Sequence, residues 1–148
     1  MTRRQRGFTL IELMVVVAII AIAAGVSSLA LRDADAKALD QEAARLSALL
    51  ESARAQARAA GLAARFELAS AGNADGAFHF VNLPPSVKMP SNWLDSRTSA
   101  EIVGARALRL GPEPLIGAQR LVLRLGERNL TLATDGLSPF VVVETPRP

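Results

Sequence analysis

Gly7-Phe8-Thr9-Leu10-Ile11-Glu12-Leu13 opens a run that carries no charge after Glu12 until Arg32. Three arginines, Arg3, Arg4 and Arg6, stand before it. As one helix, Phe8–Leu31 would be about 36 Å long at ~1.5 Å per residue, enough to cross a ~30 Å hydrocarbon layer. The far flank (Arg32, Asp33, Asp35, Lys37) is nearly balanced in charge. The positive-inside rule therefore predicts a cytoplasmic N-terminus, with the rest of the chain across the membrane.

An ordinary secretory signal is the simpler reading, with Ala21-Ile22-Ala23 as its cleavage site. Two features oppose it. The apolar run exceeds the usual ~7–15 residues, and Glu12 sits in its first turns. A charge inside a bilayer costs roughly 2.5–3.5 kcal/mol or more, so such a residue needs a partner. No basic side chain lies between Phe8 and Leu31. One cation remains available: the α-amino group created if the chain is cut just before Phe8.

The charge balance points the same way. The chain has 148 residues and a net charge of +3, with 17 basic residues and 14 acids. Three of the 17 lie within Met1–Gly7, and the 14 that remain equal the 14 acids. Removal of the leader thus takes away all the excess positive charge, which argues against nucleic acid as a partner. The absence of cysteine excludes disulfides and thiolate chemistry, and a lone His79 disfavours a histidine metal cluster or a Ser-His-Asp arrangement.

Residues 32–60 contain neither proline nor glycine and are rich in helix formers. Leu39, Ala43, Leu46, Leu50, Ala53 and Ala57 form one apolar stripe, from which Asp40, Arg45, Glu51, Arg54 and Arg58 fall away. Gly61 is the expected stop. One helix from about Phe8 to Ala60 follows, its second half laid on a sheet. Beyond Gly61 the period becomes two. Phe66 and Leu68 lead through the turn Ala71–Gly76 to Phe78 and Phe80; residues 84–100 form an irregular connection; strand signals return over Ile102–Leu110. Leu121, Leu123 and Leu125 turn at Gly126–Asn129 into Leu130–Leu132, and Asp135–Ser138 turns again into Pro139–Glu144. The expected class is α+β, a long N-terminal helix on antiparallel strands.

Arg6-Gly7-Phe8-Thr9-Leu10-Ile11-Glu12-Leu13 resembles the class III (type IV prepilin) signal. The resemblance implies cleavage by a prepilin peptidase between Gly7 and Phe8, N-methylation of Phe8, and pairing of Glu12 with the amine of a neighbouring subunit during assembly. The domains are then a leader over 1–7, a transmembrane and polymerisation half over 8–31, an amphipathic half over 32–60, and a periplasmic β-rich domain over 62–148. The order of elements, with Leu110–Pro114 and Thr134–Phe140, is similar to the H-type minor pseudopilins of type II secretion (the GspH family). FimT-type minor pilins of type IV pili share that architecture. The resemblance implies a pilin-like fold, no cofactor and a place near the filament tip. It implies a single-pass inner-membrane protein whose partners are the peptidase, other major and minor pseudopilins and secreted substrates.

No other residue carries a comparable signal. Asp135-Gly136 reads as a turn, as does Asn73–Gly76 with its single acid. His79 reads as a surface or interface residue. Ser86, Ser91 and Ser138 lack a histidine at motif spacing or a Gly-x-Ser-x-Gly elbow, and the chain shows no enzyme signature. Trp93, the only tryptophan, reads first as a cover for the core and second as an anchor for a neighbouring subunit.

Overall fold

The computed structural model describes residues 9–69 and 76–143, without the side chains of 26–32. Gly7 and Phe8, and the turn residues Asn73 and Asp75, lie outside the described residues. The chain forms α1 (Leu10–Ala60), then β1 (Arg65–Leu68), β2 (Phe78–Val81), β3 (Ser99–Ile102), β4 (Ala107–Arg109), β5 (Gln119–Leu125), β6 (Arg128–Thr134) and β7 (Val141–Val143). It divides into two compact units, Met1–Ala34 and Asp35–Pro148.

In the first unit every described side chain from Leu10 to Ile22 is exposed, including Leu10 at 78% and Ile22 at 68%. Among the described residues no helix is long and apolar enough to cross a membrane. Leu10–Gly25, the apolar stretch described without interruption, covers about 24 Å at ~1.5 Å per residue, short of the ~30 Å of a hydrocarbon layer. The expected transmembrane half is therefore not shown.

In the second unit the predicted stripe is the core of the helix. Leu39, Ala43, Leu46, Leu50, Ala53 and Ala57 are all buried, in one cluster with Phe66, Phe78, Leu108, Leu121, Leu123, Leu125, Leu132 and Phe140. Alanines in the stripe let backbone approach closely: a Cβ on Gly111 would meet the Ala57 Cβ at 2.9 Å. The helix stops where glycine allows a left-handed residue. Gly61 has φ +65°, its N–H reaches the Arg58 carbonyl at 3.3 Å, and the Leu62 N–H reaches Ala57 at 2.9 Å. That pair of bonds is a Schellman cap.

The strands form two antiparallel sheets, ordered β2-β1-β4 and β3-β5-β6-β7. β5 and β6 are joined by two residues, Leu125 facing Arg128, with Gly126 at φ +56° as the hairpin requires. The strand signals over Ile102–Leu110 resolve into the end of β3 and the whole of β4, which belong to different sheets, and β3 already begins at Ser99, inside the stretch 84–100 expected to be irregular. Gly104, at φ +75°, breaks the run, and the chain changes layer there.

Candidate assembly site

Thr9 and Glu12 define how the helix begins. The Glu12 N–H donates to Thr9 Oγ1 at 3.3 Å, and the Leu13 N–H to the Thr9 carbonyl at 3.2 Å. Thr9 is thus the N-cap and Glu12 the third helical residue, the spacing of a capping box. A carboxylate in the first turn also meets the positive end of the helix dipole. In the sequence Glu12 stands out as an acid lacking a cation and, by the resemblance, as an assembly residue. The Thr-x-x-Glu cap was legible in Thr9-Leu10-Ile11-Glu12 and was missed. The two roles are compatible, because the exposed Glu12 side chain stands among exposed Leu10, Ile11, Leu13 and Met14. Such a surface suits burial against other apolar helices, with the carboxylate free to take a cation.

In the second unit, polar helix residues grip two loops. On one flank Glu42, only 1% exposed, accepts the Leu94 N–H at 2.5 Å and an Arg45 N–H at 2.7 Å. Arg45 also donates to the Asn92 carbonyl at 3.3 Å. On the other flank Arg54 donates to Glu51 at 3.0 Å, to the Ser138 carbonyl at 3.0 Å and to the Gly136 carbonyl at 3.2 Å. Glu51 accepts the Phe140 N–H at 3.2 Å, and the Ser47 hydroxyl donates to the Phe140 carbonyl. This corrects the expectation that Arg54 falls away from the stripe: it is 2% exposed. Position 54 follows Leu50 by four and precedes Ala57 by three, so helical spacing places it on the buried face.

The other candidate residues resolve into structural parts. Asp135 Oδ1 accepts the N–H groups of Leu137 and Ser138 at 2.9 and 2.7 Å, an Asx turn. Those donors hold its carboxyl below the usual carboxylate range. The Ser138 hydroxyl donates within the same turn. His79 is exposed, with Nε2 3.5 Å from Glu67 Oε2. Trp93 is half-buried against the core, its ring 4.5 Å from that of Phe78 and tilted by 49°, which is the core-cover reading. Beside β2 lies an open depression of about 490 Å³. Among the described residues no group of three or more His, Asp or Glu side chains is placed to hold a metal ion.

No curated protein and no solved structure matches the chain. Residues 2–28 match the family described as prokaryotic N-terminal methylation motif. The match spans the Gly7–Phe8 junction, Thr9 and Glu12, and ends before the second unit begins. It supports the type IV pilin or pseudopilin class, with a membrane anchor, processing by a prepilin peptidase and assembly with other pilins implied by the motif.

Proposed function

We propose that the chain is a minor pseudopilin of a type II protein secretion system. The peptidase removes Met1–Gly7 and methylates Phe8, the segment 8–31 holds the subunit in the inner membrane, and the domain works in the periplasm. Assembly then draws the helix into a bundle in which Glu12 meets the Phe8 amine of a neighbour. The subunit acts by polymerisation and contact, with no catalysis and no cofactor of its own.

The observation that carries this reading is the exposed aliphatic helix start, bearing a single acid within the matched methylation motif. An unpaired carboxylate there is too costly in a lipid or helix bundle, so pairing fixes the stagger between subunits. Assignment to secretion rests on the resemblance over Leu110–Pro114 and Thr134–Phe140.

A FimT-like minor pilin of a type IV pilus, serving pilus assembly or DNA uptake, is the other reading. It calls for unpaired basic residues on one exposed face. Arg65, Arg97, Arg109 and Arg124 pair with Glu67, with Asp35 and Asp95, with Glu113 and with Glu101, so these four do not supply such a face. Mass spectrometry of the mature protein is expected to give a chain starting at methylated Phe8. An intact Met1 or a start near Ala24 would overturn both readings. Gene deletion, scored for exoprotein release beside twitching and transformation, separates them: unaffected release rules out the secretion role.

A further inference from the structure

Two arginines stand side by side on the outer face of the three-stranded sheet, and we propose that they dock a carboxylate on a neighbouring pilin subunit of different sequence. This rests on the reading of the chain as a filament subunit.

In the sheet ordered β2-β1-β4, Arg65 of β1 is directly opposite Arg109 of β4. The next pair, Phe66 and Leu108, is buried. Alternation therefore turns both arginines to the outer face, where their side chains are 53% and 63% exposed. The Arg109 N–H donates to Gln119 Oε1 at 2.7 Å, and Gln119 Nε2 donates to the Arg109 carbonyl at 3.0 Å. Both backbone groups of Arg109 thus point away from β1. One residue on, the Leu110 N–H donates to the Ala64 carbonyl at 2.9 Å. Arg65 and Arg109 are therefore a non-hydrogen-bonded pair, the class with the shorter Cα separation, about 4.5 Å, and the closer side chains. Like charges placed opposite one another in this way destabilise a sheet.

The nearby acids hold the pair only loosely. Arg65 Nε lies 3.4 Å from Glu67 and Arg109 Nη2 lies 3.6 Å from Glu113, beyond the ~2.7–3.2 Å of a hydrogen bond. Arg45, Arg54, Arg97 and Arg124 instead hold their acids at 2.7–3.0 Å. Glu67 is also shared with His79, opposite it on β2, at 3.5 Å. Each guanidinium carries several N–H donors in a fixed fork, so both forks keep donors for a group that arrives from outside.

A carboxylate fits them, because its two oxygens match the fork of a guanidinium. The order of charges selects its source. β1 and β4 run antiparallel, so Glu67 lies beyond the arginines at one end and Glu113 beyond them at the other. A polyanion such as duplex nucleic acid, with one charge per ~1.7 Å, would set its further phosphates against both glutamates. An isolated carboxylate meets no such opposition. A second copy docked through the same face about a two-fold axis would set arginine against arginine. The match is therefore to an acid on a different protein, and the methylation motif implies such neighbours in the other pilins of the assembly. Gln119 pins the backbone of Arg109, and Arg65 lies on the central strand. The two positions are thus set before the partner arrives, which lowers the ordering cost of binding.

The test uses the full-length chain in cells that carry the complete assembly. p-Benzoylphenylalanine replaces Val81, which faces Arg65 from β2, or in a second strain His79, which faces Glu67. Illumination is expected to link the chain to a pilin-type protein of different sequence, identified by its peptide masses. Arg65→Glu with Arg109→Glu should lower the yield at least fivefold, and changing the acid beside the linked position of the partner to arginine should restore it. Arg65→Thr with Arg109→Thr should lower the yield as well. The thermal midpoint of that purified threonine variant should lie at or above that of the parent, since threonine suits an exposed strand and the repulsion is gone. A yield indifferent to these changes, linkage only between copies of this chain, no adduct from either strain, or a lower midpoint for the threonine variant overturns the proposal. The mature N-terminus is read from the same preparation. A start at methylated Phe8 without the adduct sinks the contact alone, whereas an unprocessed chain sinks the filament reading.

Discussion

Arg54 Nη1 donates to the carbonyl oxygen of Ser138 at 3.0 Å, from a side chain that is 2% exposed. The same guanidinium reaches Gly136 and Glu51, so one buried charge ties α1 to the turn that feeds β7. Arg54→Ala would leave two carbonyls unpaired and Glu51 without its cation. Charge-assisted bonds of this kind are worth ~1.5–3 kcal/mol each and breaking a buried pair costs ~3–5 kcal/mol. We expect urea unfolding of the full chain in detergent to lose about 3 kcal/mol, against about 1 kcal/mol for Glu51→Gln, which keeps an acceptor. A loss below ~1 kcal/mol for Arg54→Ala would contradict this account.

Glu42 and the single tryptophan give a local readout of the other flank. Glu42 holds the Leu94 N–H, immediately after Trp93, whose ring lies on Phe78. Glu42→Ala is expected to free the 92–94 loop before the sheets unfold, at a cost of about 2 kcal/mol for the orphaned donor and Arg45. Tryptophan emission should shift to the red at lower denaturant than loss of far-UV ellipticity. Coincident transitions would show that the loop is held by Trp93 packing rather than by the carboxylate.

The apolar residues carried the fold, and the polar ones concealed how it is pinned. Leu39–Ala57 gave the helix face and the alternating leucines of β5 gave a sheet face, because periodicity reports burial directly. Arg54 and Glu42 were not legible as buried. Their spacing (Leu50, Arg54, Ala57; Leu39, Glu42, Leu46) was right, but a charge is buried only where partners arrive from distant sequence, here Ser138 and Leu94. The layer change at Gly104 was equally hidden, since a continuous apolar run does not say which sheet receives it. At the helix start the reverse held: the motif announced Glu12, and the cap from Thr9 lay unread beside it.

Acid should loosen the turns that carry Asp95 and Asp135. Hydrogen bonds from Arg97 to Asp95, and backbone donors on Asp135, hold both carboxyls below the ordinary range. A carboxyl with a depressed folded pKa adds stability above its unfolded value of about 3.9, and loses it as pH falls through the lower folded value. The thermal midpoint should therefore drop as pH falls from about 4 to about 2. Asp135→Asn keeps an oxygen acceptor for the Asx turn but cannot titrate, so its deficit against the parent should shrink in acid. A deficit unchanged from pH 7 to pH 2 would remove Asp135 from the explanation.

Glu12 has two roles that a single substitution can separate. As a capping-box residue it helps Thr9 start the helix, and glutamine serves there nearly as well as glutamate. As an assembly partner it needs its charge, which glutamine lacks. Glu12→Ala and Glu12→Gln are both expected to be cleaved after Gly7 and methylated at Phe8, since neither changes the junction. Both should enter filaments at least tenfold less than the parent, equivalent to ~1.4 kcal/mol or more of lost pairing. Thr9→Ala should cost about 1 kcal/mol of helix start, with assembly falling less than in either Glu12 variant. Immunoblots of sheared filaments, alongside the mass of the mature N-terminus, measure both quantities in one preparation. If Glu12→Gln assembles as well as the parent while Glu12→Ala does not, the carboxylate is a cap and nothing more. The stagger between subunits must then come from packing of the exposed aliphatic side chains between Leu10 and Ile22.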